Sequence, residues 1–237
     1  MAAQKEVRFF SDHYDRGLDW YGRQFAEASG ERAVGEASPI YMYSEPALTR
    51  MAAAIPEARL VTILRNPIDR AYSHYWMMRA RGQEPLEFPD AIAEELNRIK
   101  SGEGALAYLA YSRYLRHLRA VCEHFPREAL HVIVLERFLQ DPADNYRSLC
   151  RFLEIDDSFV PTNLEERVNN FVEIRSSGLR RLTRRLLLPL RRVVDRVNAR
   201  PASYPPLDPA FRDELMRGFE QENRELASWL DWERSPW

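Results

Sequence analysis

Arg59-Leu60-Val61-Thr62-Ile63-Leu64-Arg65-Asn66-Pro67-Ile68-Asp69-Arg70-Ala71-Tyr72-Ser73-His74-Tyr75-Trp76 reads as a strand, a tight turn and a helix. Leu60 to Leu64 is a short apolar run with β-branched residues at Val61, Thr62 and Ile63, the pattern of a parallel strand covered on both faces. Pro56 bounds it upstream. Downstream, Asn66 can accept hydrogen bonds from the first helix amides, and Pro67 suits the first helical position because the N–H it lacks has no helical acceptor. A helix is therefore expected from Pro67, with Ile68, Ala71, Tyr72, Tyr75 and Trp76 as its buried stripe.

The polar residues of the same stretch fall elsewhere. From Asn66 to Ser73 is about 700° of helical rotation, close to two turns, so the Ser73 hydroxyl stands above the helix start on the side of Asn66. Arg65 occupies the carboxyl end of the strand, the edge at which open α/β sheets bind ligands. An arginine, helix-start amides and a hydroxyl together suit a phosphate dianion. A strand-turn-helix with an arginine at the corner is also a common structural unit, and spacing by itself leaves both readings open.

The chain of 237 residues is long enough for one α/β domain, and 45% hydrophobic with 30% charged residues describes a soluble globular protein. A net charge of -2 argues against nucleic acid as a partner. No apolar run reaches the length of a membrane span, and Met1-Ala2-Ala3-Gln4-Lys5 does not open a signal peptide. Cys122 and Cys150 lack metal-ligand spacing and read as buried thiols, which points to a reducing, cytoplasmic setting. No metal is implied, since no carboxylate or histidine cluster has ligand spacing.

The wording Leu64-Arg65-Asn66-Pro67-x-x-Arg70-Ala71-x-Ser73-x-Tyr75 resembles the 3'-phosphate-binding segment of sulfotransferases that use 3'-phosphoadenosine 5'-phosphosulfate (PAPS). That resemblance implies that Arg65 and Ser73 grip the 3'-phosphate of the nucleotide. Lys5-Glu6-x-x-Phe9-Phe10, followed by Gly17-x-x-Trp20-Tyr21, is similar to the segment after the first helix in the heparan sulfate and bacterial branches of that family. There the glutamate is the general base, which makes Glu6 the candidate here. A base is needed because a hydroxyl is a poor nucleophile until its proton is taken. The plain reading of Glu6 is an exposed surface carboxylate. His13 and His74 are the next candidates for the base.

Ala33 to Tyr41 is expected to form a short strand ending in a loop, and Gly35-Glu36-x-Ser38-Pro39-x-Tyr41 is similar to a family motif. Ala37 stands where the heparan sulfate enzymes carry a lysine, and Arg8 where they carry a histidine after Lys-Glu-x. Both departures fall on the acceptor side, so the bacterial branch fits better than a heparan sulfate acceptor.

Further helices are expected after Pro46, over 88–99, from Tyr108 to Phe125, after Asp141-Pro142 and after Asp208-Pro209, with a second strand from Leu130 to Leu135. This order gives an α/β fold, a parallel sheet flanked by helices. The resemblance implies a P-loop nucleotide-kinase-like sulfotransferase fold in one domain over 1–237. Its α/β core would span 1–160, and 161–237 would hold a nucleotide-covering loop and the C-terminal helices. Arg175 and Ser176 are candidates for that loop. From Leu179 to Val197 an apolar stripe is surrounded by arginines, as in a helix on an anionic membrane, a guide for an anionic substrate, or a domain helix with a solvated face.

The family also uses a Lys-x-Gly-Thr-Thr-like loop to cradle the 5'-phosphosulfate, and no such loop occurs in these residues. The fold is therefore expected to be N-terminally incomplete, with Met1 an internal methionine or the edge of a deletion. Without the preceding strand, the strand at Leu60 would expose an unpaired edge, and self-association or loss of activity is expected. The function expected from the resemblance is transfer of the sulfuryl group of PAPS to a hydroxyl, or in second place an amine, of a small metabolite or glycan. Two other classes remain open: a non-catalytic descendant acting as a binding protein, and a nucleotide kinase-like phosphotransferase.

Overall fold

The computed structural model describes residues 1–164, 172–174, 199–201 and 203–237. In chain order these form α1 (Phe9–Asp12), α2 (Gly17–Arg23), α3 (Glu45–Ala54), β1 (Leu60–Leu64), α4 (Pro67–Ala80), α5 (Phe88–Lys100), α6 (Tyr114–His124), β2 (Leu130–Val134), α7 (Leu135–Gln140), α8 (Pro142–Phe152), β3 (Val172–Ile174), β4 (Ala199–Pro201), α9 (Pro209–Arg217) and α10 (Glu220–Trp229). The chain packs as two units, one of residues 1–65, 113–165 and 222–237, the other of 66–112 and 166–221. The result is a helix-rich α/β fold with a small parallel sheet.

In the first unit β1 and β2 pair in parallel, Leu60 opposite Leu130 through Leu64 opposite Val134. Leu60 and Leu64 turn toward a core of Leu48, Tyr114, Leu115, Leu118, Val121, Leu130, Leu226 and Leu230. A second core gathers Val7, Phe9, Phe10, Tyr41, Met51 and Phe125, with Tyr21 stacked on Phe9 at 4.7 Å between ring centres. Its aromatic rings bury large areas of apolar surface, which fixes α1 and α2 against α3.

The opposite face of the sheet departs from the expected cover. Over β2 it is closed by α8, whose Phe152 stacks on His131. Over β1 it is open, leaving Val61 42% and Ile63 62% exposed. Among the described residues β1 pairs only with β2, so its other edge keeps its backbone groups unpaired.

Two expected elements are also altered, each by a carboxylate. Ala33 to Tyr41 forms no strand but leads into a 3-10 helix at Pro39–Tyr43, because Glu36 accepts from the hydroxyls of Ser38 and Tyr41 and so folds the segment on itself. The helix expected from Tyr108 begins only at Tyr114. Buried Glu95 accepts from the N–H groups of Tyr108, Leu109 and Ala110 and holds them in a turn ahead of the helix, with a 3-10 step at Ala110–Ser112 between.

The second unit is built on α4, α5 and α9 around Ala71, Tyr75, Met78, Phe88, Ala91 and Tyr108, with Phe211 and Leu215 packed against them. Inside it Glu84 and Arg98, 4% and 7% exposed, form a two-pronged ion pair of 2.5 and 3.0 Å, and the Tyr108 hydroxyl donates to Glu84 at 2.7 Å. Asp69 pairs with Arg212 of α9. β3 and β4 form an antiparallel pair, Val172 opposite Pro201.

Candidate functional site

Asn66 caps α4 as its sequence predicts, its side-chain oxygen accepting from Ile68 N–H at 3.0 Å and Asp69 N–H at 3.1 Å. Pro67 has no N–H, and Arg70 N–H already donates to the Asn66 carbonyl. The first turn of α4 therefore has no spare amide for an anion, a correction to the expectation of helix-start donors. What remains for a phosphate is side-chain chemistry. On α4 the half-buried Ser73 hydroxyl has no hydrogen-bond partner among the described residues.

Arg65 follows β1 directly. Its carbonyl accepts from the Tyr114 hydroxyl at 2.9 Å, and Tyr114 is itself buried, so the backbone at the strand end is fixed from α6. The Arg65 guanidinium has no partner among the described residues. A fixed backbone and an uncommitted fork of donors are what a phosphate-binding arginine requires. Arg65 closes one unit and Ser73 lies in the other, so each is described where it stands.

Glu6 is exposed, and it adopts a left-handed backbone with φ of 53°. Arg8 does the same, also at 53°, while Val7 between them is fully buried. Non-glycine residues in this region are strained by about 1–3 kcal/mol each and persist only where the surroundings impose them. The surroundings here are Ser38, whose Oγ accepts from Arg8 N–H at 2.9 Å, and Arg50, which donates to the Phe10 carbonyl at 2.7 Å. The Glu6 carboxylate has no partner among the described residues. Arg8 pairs with Asp12 at 3.1 Å.

His74 lies between Tyr108 and Tyr111, with ring centres 5.1 and 6.0 Å away. Burial, helped by the positive charges of Arg70 and Arg81, pushes its imidazole down to about 3. Such a ring is a weak proton acceptor at neutral pH. Arg175, Ser176 and the arginine-rich stretch from Leu179 to Val197 lie outside the described residues. Among the described residues no group of three or more His, Cys, Asp and Glu side chains is placed to hold a metal ion, and no helix is long and apolar enough to cross a membrane. Cys122 and Cys150 are both free thiols.

Residues 2–159 match the model of the family described as "Sulfotransferase family". The chain belongs to this family. Membership implies PAPS as sulfuryl donor. Among curated relatives, the human "Bifunctional heparan sulfate N-deacetylase/N-sulfotransferase 2" is 31% identical over 159 residues, covering 64% of this chain and 18% of that protein. "Membrane-associated sulfotransferase kil1" of Dictyostelium discoideum is 29% identical over 109 residues, 42% of this chain and 23% of that protein. The chain thus spans less than a quarter of the length of either relative. The crystal structure of a sulfotransferase from Alicyclobacillus acidocaldarius superposes with a TM-score of 0.74 at 27% identity, over 100% of this chain and 87% of that one.

Sequence reasoning did not single out two supports of the candidate residues. One is Tyr114, whose hydroxyl holds the Arg65 carbonyl. The other is the Glu36, Ser38 and Tyr41 network, which lay inside a motif read only for its likeness to the family.

Proposed function

We propose that the protein moves the sulfuryl group of PAPS in line to a hydroxyl of a small metabolite or glycan, with Glu6 taking the acceptor proton and Arg65 and Ser73 anchoring the 3'-phosphate. The S–O bond to the phosphate breaks as the S–O bond to the acceptor forms, and adenosine 3',5'-bisphosphate leaves. As in phosphoryl transfer, catalysis rests on positioning and charge stabilisation rather than covalent chemistry by the protein. No residue assigned here calls for a metal. A nucleotide-covering role for Arg175 and Ser176 belongs to the same reading, as does a cytoplasmic setting.

The observation that carries this reading is Arg65. It stands at the carboxyl end of β1, within the family's motif, with its carbonyl held by Tyr114 and its guanidinium uncommitted. An amine acceptor is the second reading, favoured by the N-sulfotransferase names of the heparan sulfate relatives.

Calorimetry with adenosine 3',5'-bisphosphate, compared with ATP and magnesium, tests the donor. Preference for the bisphosphate supports a sulfotransferase, whereas preference for ATP with magnesium supports a phosphotransferase and overturns the reading. Label transfer from [35S]PAPS to a panel of alcohols, phenols and amino sugars then separates hydroxyl from amine. Tight bisphosphate binding with no transfer to any member would favour a non-catalytic nucleotide-binding descendant.

A further inference from the structure

Four observations in the first unit converge on one carboxylate. Glu36 accepts from the Ser38 hydroxyl at 2.5 Å and from the Tyr41 hydroxyl at 2.7 Å. Each of those hydroxyl oxygens also accepts from the segment that carries Glu6. Ser38 Oγ accepts from Arg8 N–H at 2.9 Å, and the Tyr41 hydroxyl accepts from Phe10 N–H at 3.4 Å. Ser38 and Tyr41 are buried, and the two amides they hold flank Phe9, which is fully buried.

A hydroxyl can donate one hydrogen and accept others, so its orientation depends on where its proton is required. Glu36, an acceptor only, draws both protons to itself and thereby turns both oxygens toward the amides. Burial and the nearby Glu36 carboxylate also push the Tyr21 and Tyr41 hydroxyls above their ordinary range, which keeps both as donors at any physiological pH. The strained turn at Glu6 and Arg8 needs such a hold, because a left-handed non-glycine backbone relaxes once its anchors are removed.

We propose that Glu36 is a positioning residue for the sulfuryl acceptor side: through Ser38 and Tyr41 it fixes the backbone from Arg8 to Phe10 and so aims the Glu6 carboxylate. This rests on the reading of Glu6 as the base, and its own test is independent of that reading.

The test is amide hydrogen exchange by NMR on the full chain, with the hydrogen-bonded amides of Leu153 and Leu230 as internal controls. Ser38→Ala releases only Arg8, and Tyr41→Phe releases only Phe10, so each should quicken one amide about tenfold or more. Glu36→Gln should quicken at least one of the two, because an amide side chain offers one acceptor oxygen where the carboxylate offered two. Leu153 and Leu230 should not change. Uniform quickening, controls included, would mean general destabilisation and overturn the proposal, as would unaltered exchange at Arg8 and Phe10 in Glu36→Gln.

Transfer from [35S]PAPS adds the readout that a merely structural role would not move. Glu36→Gln should lower kcat about tenfold with KM for PAPS unchanged, and should lower it no further in a Glu6→Gln background. A loss that persists in that background overturns the positioning role. Quickened exchange at the two amides together with a fully active Glu6→Gln overturns Glu6 as the base, while leaving the hold of Glu36 on the backbone supported.

Discussion

The hydroxyl of Tyr114 donates to the backbone carbonyl of Arg65 at 2.9 Å. The bond joins the first turn of α6 to the end of β1, at the residue whose side chain is read as the nucleotide anchor. Tyr114→Phe keeps the ring in its core and removes the hydroxyl that makes this bond. Thermal stability should fall by about 1 kcal/mol, and the dissociation constant for adenosine 3',5'-bisphosphate should rise several-fold as Arg65 loses its fixed origin. Unchanged affinity in calorimetry would mean that the strand end keeps its place without the bond.

Arg65→Ala removes a charge-assisted partner of the 3'-phosphate. Affinity for the bisphosphate should fall by about 2 kcal/mol, roughly 30-fold. Ser73→Ala removes one neutral hydrogen bond and should cost less. Parent-like affinity in Arg65→Ala would move the nucleotide elsewhere on the protein.

Glu6→Gln keeps the size and much of the hydrogen bonding of the side chain but cannot take a proton. Turnover should drop by about 10²-fold or more while calorimetry with the bisphosphate hardly changes. Equal turnover in parent and variant would require another base, with His13 tested before His74 because burial leaves His74 weakly basic.

Acid should destabilise the second unit through two groups, His74 and Glu84. An imidazole at about 3 in the folded state, against about 6.5 in the unfolded one, binds its proton preferentially when unfolded, so stability falls as pH drops from about 6.5 toward 3. Glu84 acts from the carboxylate range downward, overlapping the lower part of that window. Burial raises its affinity for a proton, but the hydrogen bonds from Arg98, Tyr108 and the Leu86 amide outweigh burial and hold its carboxyl below the usual carboxylate range. Its contribution is present above the unfolded carboxylate range and is lost as pH falls through the lower folded value. Chemical denaturation between pH 7 and 4 should show a shallower decline in His74→Phe than in the parent. Identical slopes would assign the decline to other groups.

The elements set by local chemistry were legible in the sequence. Asn66-Pro67, Asp141-Pro142 and Asp208-Pro209 each place a cap before proline, and each starts a helix where expected. Less legible were segments governed by one distant carboxylate. Glu95 is 13 to 15 residues from the amides it holds in the turn before α6, and no periodicity of Tyr108 to Phe125 records that contact. The exposed face of β1 was misread for a related reason: Val61 and Ile63 have the composition of buried strand residues, but burial depends on what packs over them. For the site, the sequence named Arg65, Ser73 and Glu6, whereas their supports depend on tertiary contacts that Tyr114 and Glu36 make only in the folded chain.

Among the described residues one edge of β1 is unpaired, which gives Arg65 a second significance. Leu60 to Leu64 is short, β-branched, uncharged and free of proline and glycine, the composition of segments that stack into cross-β aggregates when their edge is free. Charges at both ends act as gatekeepers against such stacking. At one end Arg59 is already engaged by Glu154 and the Phe152 carbonyl, so the uncommitted charge beside the strand is that of Arg65. Arg65→Ala therefore removes a nucleotide contact and a gatekeeper together. Arg65→Lys separates the two: it retains the repulsive charge while losing the planar fork, so it should stay as dispersed as the parent while binding the bisphosphate less tightly.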